Sequence, residues 1–85
     1  MTNKELLNVV QILSKELDNF LSSHPTHPTR DYPNLPHLSW MLDQIPDFLL
    51  EGKREKAMRW LGFVQGALWW LGMMTIDELK NMNKP

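Results

Sequence analysis

The stretch that decides the fold is residues 59–76, RWLGFVQGALWWLGMMTI. It carries three of the four tryptophans and, from Trp60 onward, no charged residue. On a helix of 3.6 residues per turn, Ala57, Trp60, Leu61, Val64, Leu68 and Leu71 share one face. Phe63, Ala67, Trp70 and Met74 fall on a second, and Met58, Trp69 and Met73 on a third that Gln65 interrupts. A helix apolar on nearly every side is a buried helix or a membrane span, not a surface helix. Gly62 and Gly66, four apart, lie on one side and leave a smooth groove that a second helix or an aromatic ring can approach. Each glycine costs about 1 kcal/mol of helix propensity, so close packing is expected to offset it.

Between the two readings of this helix, length decides. The uncharged run is at the lower limit of the roughly 17–25 residues a span requires, and it contains Gln65, three glycines and Thr75. A single-span protein, suggested by the Gly62–Gly66 spacing and the basic residues upstream, is therefore the minor alternative. At 85 residues the chain is expected to be one domain. So short a chain buries a modest share of its surface and, with no cysteine, has no disulfide to help. Oligomerisation is the natural remaining source of stability. The lack of cysteine and of an apolar leader fits a cytoplasmic protein. A net charge of −1 excludes a generic polyanion binder driven by overall charge.

Outward from the centre, four further segments are legible. Thr2 and Glu5 form a T-x-x-E capping box that opens a helix over residues 3–23. Its seam is Leu6, Val10, Leu13, Leu17 and Phe20, widened by Leu7 and Leu21. Residues 24–35 hold Pro25, Pro28 and Pro33 and read as an extended strap that cannot be regular helix. A helix over 36–51 follows, with Pro36 in its first turn and Leu38, Met41, Leu42, Ile45, Phe48 and Leu49 on its apolar face. Pro46 predicts a kink or break there. Gly52 is a stop. The central helix is expected over 53–73. Thr75 and Glu78 repeat the capping box for a short helix over 76–81, with Ile76 and Leu79 facing inward and a frayed tail beyond.

Chemistry is sparse. No nucleophilic cysteine, glycine-rich phosphate loop or GxSxG elbow is present, and no catalytic residue or cofactor is expected. Asp43 and Asp47 are four apart but have no metal-binding neighbours. His24 and His27 of the HPTHPT repeat, with His37, would make a three-histidine site. Without CxxC or HExxH spacing the repeat reads as structure, and no metal is expected. Lys53, Arg54, Lys56 and Arg59 cluster where the central helix starts. They read as a solvated first turn or as an anion site for a nucleotide or nucleic acid, where helix N–H groups and cations converge. Trp, Met and Arg are favoured at interface cores, which makes Gly62, Gly66, Trp69, Trp70 and Met73 candidates for a protein interface.

Residues 59–69, RWLGFVQGALW, followed by Thr75-Ile76-Asp77-Glu78-Leu79, resemble the C-terminal part of small uncharacterised proteins of tailed bacteriophages and prophages. The resemblance covers the last third of the chain and carries over no functional residue. It implies an accessory protein made in the bacterial cytoplasm that binds, and inhibits or redirects, a host factor. The expectation is an all-α bundle of three main helices and a short C-terminal one, with the tryptophan-rich helix buried, acting by protein binding as a homodimer. The alternative is a binder of small anionic ligands or nucleic acid through the basic cluster.

Overall fold

The computed structural model describes residues 1–23 and 34–84. All regular structure among them is helical: α1 (Asn3–Ser23), α2 (Leu35–Leu50), α3 (Arg54–Trp70) and α4 (Ile76–Asn83). The strap, with His24 and His27, lies outside the described residues as far as residue 33, and Leu35 already belongs to α2.

Local chemistry sets the helix ends. In α1 the Thr2 N–H donates to Glu5 Oε1 at 3.0 Å and the Glu5 N–H to Thr2 Oγ1 at 3.1 Å. The pair Thr75 and Glu78 opens α4 in the same way. Pro36 occupies the first turn of α2, where its missing N–H breaks no helical bond. Both α2 and α3 close on a left-handed glycine, Gly52 and Gly72, each at φ 75°. The Gly52 N–H reaches Leu49 O and the Lys53 N–H reaches Phe48 O; Gly72 and Met73 repeat the pattern onto Trp69 and Leu68. These paired bonds are the Schellman motif, which satisfies the last carbonyls of a helix. The motif ends α3 at Trp70, three residues short of the expected boundary.

Helix α2 runs unbroken through Pro46, where a kink or break was predicted. Proline removes only the bond to the carbonyl four residues back. Leu42 and Ile45, both fully buried, pack the segment into the core on either side of the missing bond.

One hydrophobic cluster joins the helices. Leu6, Val9, Val10, Leu13 and Leu17 come from α1, Leu35, Leu38, Met41, Leu42 and Ile45 from α2, and Ala57, Leu61, Val64 and Leu68 from α3. Helix α2 packs on both α1 and α3 and so forms the middle of the bundle. The tryptophan-rich helix, expected to be the buried centre, is buried along one face only. The body measures 39 × 27 × 17 Å. Its short dimension admits about two helix layers at ~8–10 Å spacing, so every helix keeps an outward face.

Helix α4 is held by Leu79, by Met82 packed against the core and by an amide pair. Leu79 is buried, whereas Ile76, expected to face inward with it, is exposed. Gln65 Nε2 donates to Asn83 Oδ1 at 2.8 Å and Asn83 Nδ2 returns a bond to Gln65 Oε1 at 3.1 Å. Gln65 is a buried polar residue of α3, and this reciprocal amide pair satisfies it. The tail expected to fray from residue 81 is thereby helical to Asn83.

Candidate functional site

Among the described residues, the outer face of α3 gathers more exposed large apolar side chains than any other helix. Trp70 is 80 % exposed, Phe63 62 % and Trp69 47 %, and Met58 and Leu71 are also exposed. At roughly 150–250 Å² per large aromatic side chain, the three rings alone present about 400 Å² of apolar surface. Patches of that size on a monomer mark interaction sites more often than isolated exposed residues do.

Between these side chains lie Gly62 and Gly66, both exposed. A Cβ placed on either would meet nothing within 4 Å. The close packing expected to offset their helix penalty is therefore absent among the described residues. Beside the face, a hollow of about 300 Å³ lies among His37, Leu38, Phe63, Ala67, Trp70 and Leu71. It extends the apolar surface toward the start of α2.

Met73, the remaining interface candidate, is half-buried and packs against the core. The Gly72 turn folds it back under the helix end, a consequence of α3 stopping at Trp70.

The basic cluster does not converge on one point. Lys53 Nζ lies 3.0 Å from Glu51 Oε2. The Arg54 guanidinium donates to Asn3 Oδ1 and to the Met1 carbonyl, tying the start of α3 to the start of α1. Lys56 Nζ sits 4.6 Å from the centre of the Phe48 ring and 5.6 Å from that of Trp60, a cation–π contact. Arg59 is exposed and has no ion pair or hydrogen bond among the described residues.

Lys56 caps an aromatic ladder between α2 and α3. His37 stacks on Trp40 at 5.4 Å, Trp40 leans on Trp60 at 5.8 Å, and Phe48 meets Trp60 edge-on at 4.7 Å. Trp40 thus joins the two helices at the core edge. His37 serves in the ladder. Asp43 and Asp47 are both exposed on α2. Among the described residues no three His, Cys, Asp or Glu side chains group to hold a metal ion, and no helix is long and apolar enough to cross a membrane.

No protein-family model, curated protein or solved structure matches this chain. The fold is a compact all-α bundle, and its candidate site is an apolar helix face.

Proposed function

We propose that this chain acts by binding protein through the outer face of α3, and that it works as a homodimer joined there. The observation that carries the reading is the exposure of Trp70, Phe63 and Trp69 around two glycines whose side is vacant. Water gains nothing from such a face, and a partner helix gains both aromatic burial and close backbone approach. The resemblance of residues 59–69 and 75–79 to phage and prophage proteins supports an accessory role in the cytoplasm of a bacterial host, with a host factor as the target of the pair.

The test is Trp70→Ala, compared with the unchanged chain by sedimentation velocity and circular dichroism. Trp70 makes little contact inside its own chain, so helix content is expected to stay the same. Truncating a buried interface tryptophan costs about 2 kcal/mol, which raises the dimer dissociation constant about 30-fold. An unchanged dissociation constant would remove this face from the interface.

A further inference from the structure

On α3, Met58, Gly62 and Trp69 lie along one flank of the exposed face, and Arg59, Phe63 and Trp70 along the other. The face is also balanced about the level of residue 64. Gly62 and Gly66 lie two positions either side of it; on one flank Met58 is six below and Trp69 five above, and on the other Arg59 is five below and Trp70 six above. A two-fold axis perpendicular to the helix at that level reverses height and preserves flank. The surface therefore meets a copy of itself with Arg59 and Met58 opposed to aromatic rings and Phe63 to its own copy, the reciprocal pattern of an isologous interface.

We infer that the two copies of α3 cross antiparallel at Gly62 and Gly66, placing Arg59 on the partner's Trp70 and Met58 on the partner's Trp69. This rests on the homodimer reading above and gives it a register. Arg59 gains a cation–π contact that it lacks among the described residues, and Met58 a sulfur–aromatic one. The two Phe63 rings approach each other beside the axis. The glycines let the backbones close, which is the missing return on their helix penalty. A parallel pair would set Glu55 against the partner's Glu55, crowd two sets of Lys53, Arg54 and Lys56, and align the helix dipoles.

The chain has no cysteine, so one can be introduced for a nitroxide label without competition. In Glu55→Cys the label sits nine residues from the crossing in each copy. At about 1.5 Å rise per residue an antiparallel pair separates the labels by roughly 27 Å. The same measurement on Lys53→Cys, outside the contact, gives roughly 33 Å. Electron–electron dipolar spectroscopy at those separations supports the crossing. Labels within about 15 Å, or a disulfide in the unlabelled variants, would show a parallel dimer, so the crossing would fall while the dimer stood. A single-chain mass for both variants and the unchanged chain would overturn crossing and dimer together. Arg59→Ala is expected to raise the dimer dissociation constant about tenfold. An unchanged constant would sink the Arg59–Trp70 pairing.

Discussion

At the residue scale, Gln65 shows how a polar residue in an apolar run earns its place. In the sequence it interrupts a face, and nothing marks Asn83, eighteen positions on, as its partner. Only the return of the chain at Gly72 brings the two amides together. Asn83→Ala removes both amide–amide bonds and leaves the buried Gln65 side chain only a long contact to the Met82 sulfur, at a cost of about 1 kcal/mol or more. A thermal melt is expected to drop by about 4–8 °C, and an unchanged midpoint would mean that the pair holds nothing. Glu5 offers a second residue-level test. Its carboxylate accepts the Thr2 backbone N–H, and the Thr2 side chain adds to the effect, so its pKa lies below the ordinary glutamate value. The folded state therefore gains stability that is fully present above the unfolded pKa and lost as pH falls through the folded one. Glu5→Gln is expected to melt lower than the unchanged chain at neutral pH, with the gap closing in acid. A gap independent of pH would point to a cause other than the charge. Both capping boxes were legible because their signal is local, a hydroxyl and a carboxylate three residues apart.

The helices themselves divide along the same line between local and tertiary causes. Gly52 and Gly72 end α2 and α3 through backbone geometry that glycine adopts without strain; the Gly52 stop could be read in advance, whereas α3 was expected to run on to residue 73. The unbroken path through Pro46 could not be read in advance either, because packing of α2 on both neighbours overrides a local preference. Pro46→Ala restores the bond to the Leu42 carbonyl and is expected to stabilise the chain by about 1–3 kcal/mol, read by urea unfolding; a loss of stability would show that the ring's own packing matters more. For α3 the decisive substitution is Gly66→Ala. The added methyl meets nothing among the described residues and improves helix propensity by about 1 kcal/mol. The dilute chain should therefore melt higher while the dimer weakens. An alanine that strengthens both would show that no second backbone approaches this groove.

Taken whole, the molecule is built on α2, although α3 carries the more conspicuous sequence. Leu42 is fully buried in the middle helix, and Leu42→Ala is expected to cost about 2–5 kcal/mol. For a chain of this length total stability is about 4–13 kcal/mol, so the variant should be largely unfolded in modest urea where the unchanged chain is folded. Hydrophobic periodicity made the bundle and most of its core legible, since Leu, Val and Ile at three- and four-residue spacing declare which face is covered. It did not show which helix would be in the middle. A count of apolar side chains states how much surface seeks cover, not whether the same chain or another supplies it. The thin bundle answers half of that question by leaving Trp70 and Phe63 outside. Sedimentation equilibrium of the unchanged chain across micromolar concentrations answers the rest most directly. The expected result is a mass rising to twice the 10.0 kDa of one chain, and a mass fixed at 10.0 kDa up to several hundred micromolar would contradict it.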